Sequence, residues 1–105
     1  MAATVTNIRD TAPAHLSDEA RTVWRNVMDS YGIGDPAGRL LLQSALEAFD
    51  VVRDCQQRIA KDGRTVKGST RQLVAHPLCS VERDARSQMH QALKLLRLDI
   101  PLEAP

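Results

Sequence analysis

The chain has very few aromatic residues. Trp24, Tyr31 and Phe49 make up 3% of its 105 residues, whereas hydrophobic residues together make up 43%. A core with so few aromatics must be built from leucine, valine, isoleucine and alanine, which suits packed helices better than a β-sandwich. The composition therefore favours an all-α fold, and the length allows one domain at most.

Cysteine and long apolar runs are also scarce. The two cysteines, Cys55 and Cys79, do not form a disulfide framework. No apolar run approaches the roughly 20 residues that a membrane-spanning helix needs. Residues 1–14 lack the charged start and apolar centre of a signal peptide. We therefore expect a cytosolic protein with reduced thiols and no membrane partner.

The sequence carries no recognisable catalytic motif. The Gly-Ile-Gly segment at residues 32–34 lacks the third glycine and the preceding strand of a dinucleotide-binding loop. His76 and Cys79 form only one close pair of potential zinc ligands, and Cys55 falls on an apolar helix face, where a buried structural thiol is the better interpretation. We expect a non-enzymatic protein with no metal site and no cofactor.

Three segments have the periodicity of amphipathic helices. Ser17 is a good N-cap for the first, and Asp35 followed by proline opens the second. Glycine favours the left-handed conformation that closes helices, and proline cannot continue one. The predicted helices run from Ser17 to Gly32, from Asp35 to about Lys61, and from Pro77 to the segment Asp99 to Pro101.

Outside these segments the pattern is weak. Val66 and the pair Leu73-Val74 are too isolated to predict a sheet. Residues 1–15 have no periodicity and are expected to form a flexible N-terminal arm. Residues 16–100 form the predicted helical domain, and residues 101–105 form a short tail.

The second helix carries two apolar rows, a heptad-like seam and a second row beside it. Its first half is therefore apolar over much of its circumference. Such a helix is either central to a core or shared with another chain. The second row is interpreted as core, as a subunit contact or as both; it consists of Leu42, Leu46 and Phe49.

Positive charge is concentrated around the end of the second helix. Six bases and two acids lie between Arg53 and Arg71, a net +4, whereas the whole chain carries only +1. One interpretation is a loop that contacts phosphates. The other is a solvated loop whose cations lie near a helix C-terminus because the helix dipole favours positive charge there. The candidate DNA-binding residues are Arg58, Lys61, Arg64, Lys67 and Arg71, with Arg21, Arg25, Arg83 and Arg86 as the second choice.

Several motifs occur in an order that resembles the phage terminase small subunit family. The resemblance runs from Leu16 to about Pro101 and is fairly specific in its order and spacing. It is carried by Leu16-Ser17-Asp18-Glu19-Ala20 with Trp24, by Asp35 and the helix with Leu41, Leu42 and Ala45, by Ile59-Ala60-Lys61-Asp62-Gly63, by His76-Pro77, by Glu82-Arg83-x-Ala85-Arg86, and by Leu93-x-x-Leu96-x-Leu98.

The resemblance implies a ring of identical subunits built on a long central helix, with residues 16–100 serving oligomerisation and DNA recognition. Such rings recognise double-stranded viral DNA, recruit the large terminase subunit and modulate its ATPase and nuclease. The expected location is the cytoplasm of an infected or lysogenic bacterial host. Two alternatives are an oligomeric helical adaptor that binds only protein and a small DNA-binding regulator.

Overall fold

The computed structural model of the protein describes residues 12–68 and 72–98. The predicted all-α class with a long central helix is confirmed, and a tiny antiparallel sheet is added to it. Residues 1–11 of the predicted arm and the predicted tail lie outside the described residues. The elements in chain order are α1 (Asp18–Tyr31), α2 (Pro36–Asp62), β1 (Thr65–Lys67), β2 (Leu73–Ala75) and α3 (Leu78–Leu95).

The structure contains a small sheet that the sequence pattern was too weak to predict. Strands β1 and β2 pair in an antiparallel hairpin in which Val66 lies opposite Val74. Both valines are half-buried between exposed neighbours, which is the alternation of a half-solvated strand. Each strand has only three residues, so the alternation is too short to be recognised in a sequence.

Helix α1 begins and ends as its sequence predicts. The Ser17 hydroxyl accepts a hydrogen bond from the Ala20 amide at 3.0 Å, and the Gly32 amide donates to the Met28 carbonyl from a left-handed conformation (φ 61°). One face of α1 lies in the buried cluster. That cluster consists of Leu16, Ala20, Trp24 and Met28, together with Leu42 and Leu46 of α2.

The two apolar rows of α2 contact two different helices. Leu42 and Leu46 are 0% and 3% exposed because α1 covers them. The other row packs along α3, where Ala48 of α2 lies beside Ala85 of α3. This double coverage explains why so much of α2 is apolar.

Polar contacts fasten the start of α1 to the middle of α2. The Ser17 amide and hydroxyl both donate to the Asp50 carboxylate, at 2.9 and 2.5 Å. The Arg53 guanidinium donates two bonds to Glu19, at 3.2 and 2.8 Å. The bond to Glu19 raises the pKa of Arg53. These contacts fix the direction of α1 across α2.

Helix α3 ends at Leu95, several residues before the predicted stop at Asp99 to Pro101. Arg97 takes the left-handed conformation (φ 60°), its amide donates to the Lys94 carbonyl, and the Leu98 amide donates to the Leu93 carbonyl. This pair of bonds is a Schellman motif, in which Arg97 takes the left-handed position that glycine usually occupies. The Tyr31 hydroxyl then donates to the Leu98 carbonyl at 3.0 Å and ties the ends of α1 and α3 together.

None of the described helices is long and apolar enough to cross a membrane.

Candidate nucleic-acid interface

The basic segment lies where α2, the hairpin and α3 meet. Helix α2 ends at Asp62, and Gly63 turns the chain away with a positive φ of 89° that favours glycine. The hairpin closes with bonds from the Gly68 amide to the Gln72 carbonyl and from the His76 amide to the Arg64 carbonyl, both 2.7 Å. The hairpin is therefore bonded across its base before α3 begins.

The predicted DNA-binding residues lie on three parts of this segment. Arg58 and Lys61 are exposed and three residues apart, so they share one face of α2 near its end. Arg64 opens the hairpin, and Lys67 is the last residue of β1; both are exposed. Arg71 lies outside the described residues. Their role in DNA binding stays a prediction.

Some of the local positive charge is compensated. Arg58 pairs with Asp54 at 3.2 Å on the solvated face of α2, and Arg53 is held by Glu19. Within residues 12–68 and 72–98, Lys61, Arg64 and Lys67 form no ion pair with a carboxylate. These three cations are therefore available to an anionic ligand, and we refer to them as the cationic triad.

A groove of about 500 Å³ lies beside the hairpin, between the end of α2 and the start of α3. It brings Arg64 next to Arg86, which is held by Glu82 one helical turn earlier. The sequence made Arg86 only a second choice, because its nearness to Arg64 depends on α3 returning alongside α2. The groove is lined by Gln56, Ile59, Ala60, Gly63, Arg64, Cys79, Glu82 and Arg86.

The two thiols have different surroundings. Cys55 is 2% exposed on the α3-facing side of α2, and burial raises its pKa. Cys79 is half-buried in the first turn of α3, with its Sγ 4.0 Å from the Arg64 carbonyl oxygen. In the described part of the chain no three histidine, cysteine or acidic side chains are grouped to hold a metal ion.

Most of the residues predicted to contact another subunit are buried within a single subunit. Leu42 and Leu46 pack against α1, and Phe49 is half-buried beneath the Arg53 guanidinium, 5.4 Å from its ring centre. The contact role of these residues stays a prediction. Large apolar side chains are exposed elsewhere on the described surface, at Leu40, Val51, Leu73, Val81 and Leu95.

The chain is mostly helical and carries an exposed basic hairpin. A family model described as "Phage terminase, small subunit" matches residues 20–103, which include most of α1, all of α2 and α3, and the hairpin. The chain belongs to the phage terminase small subunit family, as the sequence motifs predicted. Membership indicates a role in phage genome packaging, in a family that is generally non-catalytic. No curated protein and no solved structure matches the chain.

Proposed function

We propose that this protein binds double-stranded viral DNA through its basic hairpin and the adjoining end of α2, and that it recruits the large terminase subunit, which supplies ATPase and nuclease. The observation that supports DNA binding is the cationic triad, Lys61, Arg64 and Lys67, which is exposed and forms no ion pair among the described residues. DNA affinity depends largely on cations that neutralise phosphates and release their counterions. A cation already paired with a carboxylate contributes less, so the triad is favoured over Arg53 and Arg58.

The hairpin suits a phosphate contact better than a base-specific one. Its two strands have three residues each, and its exposed side chains include lysine and threonine. Phosphate contacts position a protein on DNA, whereas sequence is read from base edges. We therefore assign to each subunit a weak, sequence-tolerant contact with the DNA backbone.

Such a contact becomes strong when it is repeated. In a homo-oligomeric ring, three cations per subunit act together and produce a collective field. Val51 of α2 and Val81 of α3 are exposed large apolar residues that line one groove, and a second copy of the chain would cover them. The assembly would act in the cytoplasm of an infected or lysogenic bacterium.

The direct test is fluorescence anisotropy with labelled double-stranded DNA at low salt. The triple variant Lys61→Ala, Arg64→Ala, Lys67→Ala should bind at least about tenfold more weakly than wild type, because each lost phosphate contact removes counterion release. A charge-matched control is Arg25→Ala, Arg83→Ala, Lys94→Ala, which removes three cations outside the hairpin. The control should bind within about twofold of wild type.

Three outcomes would contradict the proposal in different ways. Equal losses in both variants would mean that net charge, and not the hairpin, drives binding. A loss of affinity in the control alone would indicate that DNA binds to α1 and α3 instead of the hairpin. No DNA binding by the wild-type protein at low salt would favour the adaptor that binds only protein.

A further inference from the structure

His76 is buried in surroundings that are otherwise largely exposed. Its side chain is 8% exposed, and among residues 12–68 and 72–98 it is the one polar or charged residue in the buried class. It follows β2 directly and precedes Pro77, the residue before α3. A buried imidazole needs partners for both ring nitrogens, because an unmet polar group is costly to bury.

Both ring nitrogens of His76 have partners. Nδ1 accepts a hydrogen bond from the Leu78 amide at 3.0 Å, and Nε2 lies 3.0 Å from the Asp62 carboxylate. Since an amide only donates and a carboxylate accepts, the network assigns the ring proton to Nε2. The imidazole thus donates to the last residue of α2 and accepts from the first residue of α3.

The bond to Asp62 closes the base of the hairpin. The last backbone bond across the hairpin joins His76 to Arg64, and the Asp62–His76 bond lies immediately outside it. The chain between these two positions carries Arg64 and Lys67, whereas Lys61 lies on α2 next to Asp62. The side-chain pair therefore joins the part of the triad on the hairpin to the part on the helix.

We propose that His76 is a positioning residue for DNA binding, which acts by bonding to Asp62 and fixing the hairpin against the end of α2. This inference rests on the proposed function of the hairpin. His76 itself touches no phosphate in this account. Its bond to Asp62 holds Arg64 and Lys67 in a fixed position relative to Lys61. The hairpin then loses little conformational entropy when DNA binds.

Substituting His76 by glutamine or by asparagine tests its two hydrogen bonds separately, because each substitution keeps only one of them. In His76→Gln the side-chain amide nitrogen reaches the position of Nε2 and donates to Asp62. In His76→Asn the side-chain oxygen replaces Nδ1 and accepts from the Leu78 amide, but the side chain is too short to reach Asp62. Asp62→Asn keeps an acceptor for His76, whereas Asp62→Ala removes it.

The experiment measures DNA affinity by anisotropy and hairpin opening by amide hydrogen exchange of Val66, Gly68 and Val74 without DNA. We expect His76→Asn and Asp62→Ala to bind DNA about threefold to tenfold more weakly, because each loses one hydrogen bond to a charged group. The amides of the hairpin should exchange faster by a similar factor, because the hairpin opens more often. His76→Gln and Asp62→Asn should stay within about twofold of wild type in both measurements. Circular dichroism should report the same helix content for all four.

Three results would overturn the inference, two of them from the His76 variants. One is wild-type exchange and affinity in His76→Asn, and the other is an equal loss in His76→Asn and His76→Gln, which would make His76 a packing residue only. Failure of the proposed function is distinguishable, because a wild-type protein that binds no DNA still reports the Asp62–His76 bond through hydrogen exchange. Fast exchange in Asp62→Ala with unchanged DNA affinity would also contradict a positioning role.

Discussion

At the scale of single residues, the surroundings of each thiol determine its chemistry. The reactive form of cysteine is the thiolate, and burial disfavours the charged form. Cys55 is buried and its pKa is raised, whereas Cys79 is only half-buried beside the groove. Because the folded chain holds the Cys55 proton more tightly than the unfolded chain does, stability is retained at neutral pH and falls as the pH rises from the ordinary thiol pKa through the raised one.

Alkylation should therefore distinguish the two thiols. At neutral pH we expect iodoacetamide to modify Cys79 at least about tenfold faster than Cys55, since Cys55 is both inaccessible and protonated. Mass spectrometry of the native protein measures both rates, and a denatured sample in which the rates converge is the control. Faster modification of Cys55 would show that α2 and α3 open readily around it.

Ser17 stabilises the start of α1. Its hydroxyl caps α1 and also donates to Asp50, so Ser17→Ala should lower the free energy of unfolding by about 1–2 kcal/mol. Ser44→Ala is the matched control, because Ser44 is exposed in the middle of α2, and it should change stability by less than about 0.5 kcal/mol. Urea titration measures both, and equal effects would contradict the capping role.

At the scale of elements, much of the helical architecture was predictable because helix signals are local. Ser17, Gly32, Asp35 and Gly63 cap helices through bonds to residues within a few positions, and their chemistry is visible in the sequence. The end of α3 was not predictable in this way, because Arg97 adopts a conformation that usually favours glycine. Local signals therefore predicted all three helices, and they predicted the C-terminal ends of α1 and α2 but not that of α3.

The hairpin and part of the charge balance of the site depend on contacts that local sequence patterns do not predict. Val66 pairs with Val74 in the hairpin, and a three-residue strand has no periodicity to recognise. The pairing of Arg58 with Asp54 follows from helical spacing, but the pairing of Arg53 with Glu19 depends on how α1 crosses α2. The sequence therefore predicted the location of the basic segment but not which of its cations are available.

Two leucines of α2 test which side of this helix is core. Leu46 is 3% exposed beneath α1, and Leu40 is 62% exposed. Leu46→Ala should lower the free energy of unfolding by about 2–5 kcal/mol, whereas Leu40→Ala should cost less than about 0.5 kcal/mol. Thermal or urea unfolding over a range of protein concentrations makes the measurement. A small effect for Leu46 would mean that α1 does not cover it, which would return Leu42 and Leu46 to a subunit contact.

At the scale of the whole molecule, a helical body carries a small basic hairpin, and we propose that this unit is repeated in an oligomer. A single chain of 11.6 kDa that contacts DNA through only the three cations of the triad would bind it weakly. Strong binding in this account therefore requires assembly. The exposed valines of α2 and α3 provide an apolar surface for it.

Native mass spectrometry tests the assembly. We expect a mass that is a multiple of 11.6 kDa, and we expect Val51→Glu with Val81→Glu to shift it toward the monomer, because a charge is costly to bury at a contact. Gln57→Glu is the control, since it adds a charge at an exposed position of α2 and should leave the mass unchanged. A wild-type protein that is monomeric at all concentrations would exclude the ring.

The central claim is that Lys61, Arg64 and Lys67 contact phosphates, and the salt dependence of DNA affinity tests it most directly. For B-DNA, each neutralised phosphate contributes about 0.9 to the slope of log affinity against log salt. Anisotropy over a salt series should therefore give a triple-alanine variant whose slope is smaller than that of wild type by about 2.7 per bound subunit. An unchanged slope and affinity in this variant would contradict the claim, because the hairpin would then be a solvated loop.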